Sequence, residues 1–179
     1  MLFRSLKTRG QHYHEQARAL GALHASRPNV GANFAALAMH ALAEILERAR
    51  LAKLTRHQHI LLRAGEWIAY AECAGALARR AAVMEQGKLG EKADQRFDAA
   101  ALAAISRIFA RDASMRVGEE GMRWLSGCTA GISATEIAAL ESAINLGAIH
   151  QAQAGLMGDM DLLADVLYGR VARSAGHAA

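Results

Sequence analysis

The interval between apolar residues restricts this chain more than any other feature. From Asn33 onward they fall at Phe34, Leu37, Ala38, Ala41, Leu42, Ile45, Leu46, Ala49 and Ala52. This is the three-and-four spacing that gathers side chains on one face of an α-helix. A helix of that span is about 33 Å long. The same spacing returns in Ile60, Leu61, Ala64, Trp67, Ile68, Ala71, Ala74, Gly75, Ala78 and Ala82, and again in Leu102, Ile105, Ile108, Phe109, Met115, Val117, Met122 and Leu125. A fourth run passes through Ile137, Leu140, Ile144 and Leu146, and Ile149, Leu156, Met160, Leu163, Val166 and Leu167 extend it to Tyr168. No stretch alternates β-branched with polar residues, and the sole proline is Pro28, so strands are not expected. The pattern predicts an all-α fold, a mostly antiparallel bundle of four to six helices with no strands.

Boundary chemistry divides the runs. Thr55 with Gln58, and Ser133 with Glu136, each fit the reciprocal capping box that opens a helix. Asp98 fits a single N-cap. Gly87 suits the left-handed residue that closes a helix, and Gly127-Cys128-Thr129-Ala130-Gly131 closes the third run. Whether Gly147 breaks or bends the fourth run is open. Before Asn33 only Ala17, Leu20 and Leu23 hint at a short helix among histidines, glycines and Ser26-Arg27-Pro28-Asn29. The expected organisation is therefore a poorly anchored lead-in over 1–32, a bundle over 33–169 and a tail over 170–179.

With 179 residues the chain can bury roughly two-thirds of its unfolded surface without disulfides or metals. Its 53% hydrophobic and 5% aromatic content is filled largely by alanine, which favours closely packed helices. The longest apolar runs, such as 34–43, stop well short of the ~20 residues of a membrane span. The first residues carry Arg4, Lys7 and Arg9 but no apolar core for a signal peptide. A cytosolic or organelle-matrix setting is expected, with contact to a membrane surface at most. Cys73 and Cys128, flanked by small residues, suit small reduced core positions. Residues 1–90 hold 13 basic and 6 acidic groups, a charge of +7, whereas residues 91–179 hold 8 and 11, a charge of −3. Such asymmetry marks either a surface for phosphate or anionic lipid, or two halves of a bundle that attract each other.

The motifs of known chemistry are incomplete. His57 and His59 lie two apart, about 200° around a helix, and no Glu-x-x-His, Cys-x-x-Cys or His-Glu-x-x-His occurs, so no metal site is expected. Gly118-Glu119-Glu120-Gly121 lies within a helical run with no strand before it, which suits close helix contact rather than a nucleotide cradle. Glu66 and Glu72, six apart, read as surface charges, and no catalytic residue is assigned. The candidates that remain concern an interface. Arg48, Arg50, Lys53 and Arg56 cluster where the first long helix ends, complementing its dipole or meeting an anionic partner. Trp67, Tyr70 and Trp124 are core anchors or partner anchors, residue types enriched at interfaces. No recognition helix or aromatic-lined basic face points to nucleic acid.

Two stretches carry a family resemblance. Residues 41–81, with Leu61-Leu62-Arg63-Ala64 and Ala78-Arg79-Arg80-Ala81 at the matching places, resemble the extra C-terminal helical region of very-long-chain-type acyl-CoA dehydrogenases. The helix over 105–125, Ile-Ser-Arg-Ile-Phe-Ala-Arg-Asp-Ala-Ser-Met-Arg-Val-Gly-Glu-Glu-Gly-Met-Arg-Trp-Leu, is also similar to helices of that family. The likeness covers about 34–125 and continues more weakly to Tyr168. It implies a FAD-dependent flavoprotein of fatty-acid β-oxidation. This chain lacks the segment bearing that family's catalytic glutamate, the β-domain and the N-terminal helices of the FAD and acyl-CoA pockets. The resemblance therefore implies a non-catalytic domain without a cofactor of its own, acting in packing, dimerisation or membrane-surface docking beside a catalytic part or second subunit. Residues 1–32 would suit a chain that begins partway through a longer protein. Two rival expectations are a share in the FAD or acyl pocket, and a basic helical module for anionic lipid or nucleic acid.

Overall fold

The computed structural model describes residues 10–90, 96–128 and 132–170. Seven helices and no strand occur among them: α1 (Gln11–Ser26), α2 (Ala32–Leu51), α3 (Gln58–Glu85), α4 (residues 99–128), α5 (Ala134–Ile144), α6 (Leu146–Gln151) and α7 (Leu156–Leu167). The all-α bundle is the one the periodicity predicts. Its helices number more than four to six because α1 is a full helix and the last run breaks twice, at Asn145 (φ 60°) and Gly155 (φ 83°). The break foreseen near Gly147 lies at Asn145, a residue type that tolerates the left-handed region.

Helix α2 is central. Ala41, Leu42 and Ala43 are all fully buried, so three successive directions around the helix face protein. Alanine at so many of these positions lets α1, α3 and α4 approach closely. Against expectation, residues 10–26 are not a loose lead-in: Tyr13 and Leu20 are buried in the main core as α1 packs along α2. Residues 1–9 and 171–179, which complete the expected lead-in and tail, lie outside the described residues.

The boundaries obey local chemistry with one exception. Asp98 caps α4 through the Ala101 N–H at 2.8 Å, and Ser133 with Glu136 forms the complete capping box of α5. Helix α3 ends in a left-handed Gly87 (φ 66°), with Gly87 N–H donating to Met84 O and Lys88 N–H to Val83 O, the paired bonds of a Schellman motif. The Thr55–Gln58 box is not the start of α3: a 3-10 turn (Leu54–Arg56) intervenes and His57, without a side-chain cap bond, is the N-cap.

Helix α4 carries the main irregularity. Its first segment, Ala99–Met115, passes through a π-helical turn, Arg116–Glu120, into Gly121–Cys128. A π turn adds one residue and so rotates the C-terminal part of the helix relative to the N-terminal part. Both glycines here are sites of close approach, as their sequence context suggests. A Cβ on Gly118 would lie 2.9 Å from Ile149 Cδ1, and one on Gly121 only 2.1 Å from Ile45 Cδ1.

A charged clasp fastens α7 to α4. Arg107 Nε donates to both carboxylate oxygens of Asp159 at 3.0 Å, and Arg111 Nη1 donates to Oδ2 at 2.5 Å. Arg111 also donates to the carbonyls of Ala152 and Ala154, at 2.7 and 2.9 Å, and its guanidinium lies 4.3 Å from the Phe34 ring centroid. On the other side Arg107 reaches the Asn29 carbonyl and Ser106 the Val30 carbonyl at 2.7 Å. The turn at 28–30 is thereby held to the same helix. Gly31 (φ 77°) makes this possible, since a Cβ there would meet the Arg107 backbone at 3.0 Å. Burial would raise the Asp159 carboxyl pKa, but hydrogen bonds from Arg107 and Arg111 and their charges outweigh it and hold the group below its ordinary 3.8.

Candidate docking surfaces

The structure separates the sequence-derived candidates. Trp67 is 1% exposed and its indole N–H donates to Glu120 Oε2 at 3.3 Å, so it anchors this chain's own core and offers nothing to a partner. Its place on the apolar stripe of α3 decides this. Tyr70 is half-buried, stacked near Phe109 with ring centroids 6.0 Å apart and covered by Arg116 at 4.9 Å. Trp124 remains partly open, and the polypeptide brings three groups to it. His59 stacks with it at 6.3 Å, Arg63 lies 5.7 Å and Arg123 5.9 Å from its ring.

Trp124 thereby borders the connection that holds the basic cluster. From Leu51 to His59 every described side chain except Leu54 is exposed, so the link between α2 and α3 projects from the bundle. Lys53 turns it with a left-handed backbone, φ 58°. Arg50 is chelated by Glu47 at 2.6 and 2.7 Å, and Arg63 pairs with Glu66 at 2.6 Å. Arg48, Lys53 and Arg56 have no ion-pair partner among the described residues. Two aliphatic side chains stand out in this setting, Leu51 at 61% and Leu62 at 69% exposure. Sequence reasoning found the cations and missed the leucines. His57 and His59 also differ from the helical-wheel expectation: His57 is extended rather than helical, and their rings lie 5.8 Å apart.

A second surface lies on α7. Leu156, Asp159, Leu163 and Val166 form its inner stripe, whereas Met157, Met160, Ala164 and Leu167 recur at heptad-like spacing about 100° away. Met157 is 67%, Leu167 63% and Tyr168 74% exposed. Beside this stripe an apolar groove of about 400 Å³ runs between α4 and α7, floored by Ile105, Ile108 and Phe109. Its polar residues are engaged elsewhere: Asp112 pairs with Arg116 at 2.8 Å and Gln153 donates to the Ile149 carbonyl at 3.1 Å.

A third concavity of about 480 Å³, between α1 and α2, is lined by His14, Arg18, His40 and Asn145. His14 faces Glu44 at 3.3 Å, and the His40 ring N–H donates to the Ala143 carbonyl at 2.9 Å. Among the described residues no group of three His, Cys, Asp or Glu side chains is placed to hold a metal ion. The cysteines are not core residues: Cys73 is exposed and Cys128 partly so, because both fall off the buried stripes of their helices. No described helix is long and apolar enough to cross a membrane. No family model, curated protein or solved structure matches the chain.

Proposed function

We propose that this chain is a non-catalytic helical docking module, the counterpart of the extra C-terminal region of FAD-dependent acyl-CoA dehydrogenases, whose α7 face packs against the catalytic body of such a flavoprotein. The observation that carries the docking role is the outer stripe of α7, with Met157, Leu167 and Tyr168 more than half exposed beside an apolar groove. Exposed apolar surface of this extent on a small bundle is costly in water and marks an interaction site. The groove supports binding rather than bond-making chemistry, since Asp112 and Gln153, its polar residues, are tied to neighbours of their own. The choice of body rests on the resemblance of residues 41–81 and 105–125 alone.

Size-exclusion chromatography with light scattering, read at protein and flavin wavelengths, tests the reading. The expected species is colourless and rises in mass with concentration, and Met157→Glu, an exposed change, abolishes that rise. A yellow peak of defined mass would refute the non-catalytic role, because the chain would then hold flavin itself.

A further inference from the structure

We infer that the projecting link between α2 and α3 is a docking site for an anionic lipid bilayer. It lies away from the α7 face and stands whether or not the reading of that face holds. Leu51 and Leu62 each sit two residues past a buried member of their helix stripe, Ala49 and Ile60, and so point about 200° away from the core. Neither is covered by its own chain, and both flank a run of exposed residues rather than a groove. A projecting, convex surface with aliphatic tips fits a deformable acyl layer better than the concave or flat face of a folded partner.

The surrounding charge selects the lipid. Lys53, Arg56 and Arg123 stand around the leucines, and Glu47 and Glu66 are already engaged by Arg50 and Arg63. Trp124, flanked by Arg63 and Arg123, supplies an amphipathic ring of the kind that settles at headgroup level. Cations around aliphatic side chains are the pattern of a peripheral membrane contact, in which phosphate attracts and shallow apolar burial holds. The +7 balance of residues 1–90 places the attracting charge in the half that carries the link.

Cosedimentation with vesicles of phosphatidylserine in phosphatidylcholine, against phosphatidylcholine alone, tests this on the full chain. The expected result is binding to the anionic vesicles only, weakening steeply with salt. At about fivefold per cation, Lys53→Gln/Arg56→Gln weakens binding about thirtyfold. Leu51→Ser/Leu62→Ser weakens it at least about tenfold through lost apolar burial. All four positions are exposed, and circular dichroism checks that both variants keep the wild-type helix content. Trp124 emission shifts to the blue on binding, with Trp124→Phe removing the shift and buried Trp67 giving the constant background. Equal binding to neutral vesicles, no binding at all, or undiminished binding by the glutamine variant overturns the inference. Binding to single-stranded RNA in place of vesicles reassigns the site to nucleic acid and also overturns it.

Discussion

Replacing Asp159 by asparagine tests whether α7 is held by charge or by apolar contact. The substitution preserves shape but leaves Arg107 and Arg111 facing an uncharged amide. The Arg111 side chain is 6% exposed and that of Asp159 12%, so water compensates little. Breaking a buried ion pair by removing one partner costs about 3–5 kcal/mol. Arg107, at 20% exposure, recovers some hydration, which places the expected loss near the lower end, about 3 kcal/mol. That loss has a ceiling. Helix α7 packs mainly on α4, so once the cost exceeds its docking free energy, α7 detaches while α1 to α3 remain folded. Amide hydrogen exchange resolved along the chain is therefore the assay, with urea unfolding beside it. A loss of 3 kcal/mol accelerates exchange in the second half of α7 about a hundredfold, with smaller changes in α2 and α3. Acid gives an internal check. The folded carboxyl titrates below its ordinary 3.8, so its contribution is complete above that value and is lost as pH falls through the lowered one. Asp159→Asn lacks this acid-dependent component. Unchanged protection of α7, together with a urea shift under about 0.5 kcal/mol, would refute the reasoning and show that the arginines are satisfied without the carboxylate.

Two glycines in helix interiors should respond in opposite directions. Gly65 in α3 has open space where a Cβ would lie, so Gly65→Ala stabilises by about 1 kcal/mol in urea unfolding. Gly121→Ala drives a methyl into Ile45 and destabilises by about 1–2 kcal/mol net of the same propensity gain. Adding Ile45→Val, which removes the Cδ1 atom 2.1 Å away, recovers part of that loss, and a strictly additive double mutant would contradict the proposed clash. Tyr13 is fully buried and its hydroxyl has no hydrogen-bond partner among the described residues; burial and the charge of Glu72 raise its pKa to about 12. Tyr13→Phe should therefore match the wild type or gain up to about 1 kcal/mol at neutral pH. The raised pKa gives the wild type a contribution that is complete below 10 and lost as pH rises towards 12, which the phenylalanine variant lacks. A clear loss of stability at neutral pH would mean that the hydroxyl is satisfied.

How legible each helix is in the sequence depends on how many of its faces are buried. Helices α2 and α3 pack on several neighbours and carry broad stripes, so their spacing is plain. Helix α1 buries essentially one ridge, Tyr13, Ala17 and Leu20, among histidines and glycines, and so thin a stripe resembles a surface segment although Tyr13 is fully enclosed. The clasp is half-legible. Asp159 occupies a stripe position between Leu156 and Leu163, and a carboxylate there requires a cation from another helix, but the choice of Arg107 and Arg111 depends on how α4 and α7 cross. The meeting of Trp124 with His59 and Arg63 likewise depends on the packing of α4 on α3, with a π turn between Trp124 and the rest of its helix.

The two docking surfaces share one signature, and it is a matter of phase. Leu51 and Leu62 are large apolar residues set about 200° from the stripes of α2 and α3, and Met157, Met160 and Leu167 are set about 100° from that of α7. A count of apolar residues that asks only how well each fits a stripe assigns such residues to the core, as the last run of the sequence does with Met160 and Leu167. The residue that does not fit is the informative one, because a side chain pointing away from its own core is stabilised only by something outside the chain. Leu62 on its own therefore separates folding from docking. Exchanging it for serine removes an apolar group that the folded chain leaves in water, so stability should change by less than about 0.5 kcal/mol. Vesicle binding should fall about threefold if a bilayer covers it, half the logarithmic loss of the double leucine variant. A stability loss above about 1 kcal/mol would place Leu62 in the fold after all, and phase would then fail to mark an outward-facing residue at its clearest example.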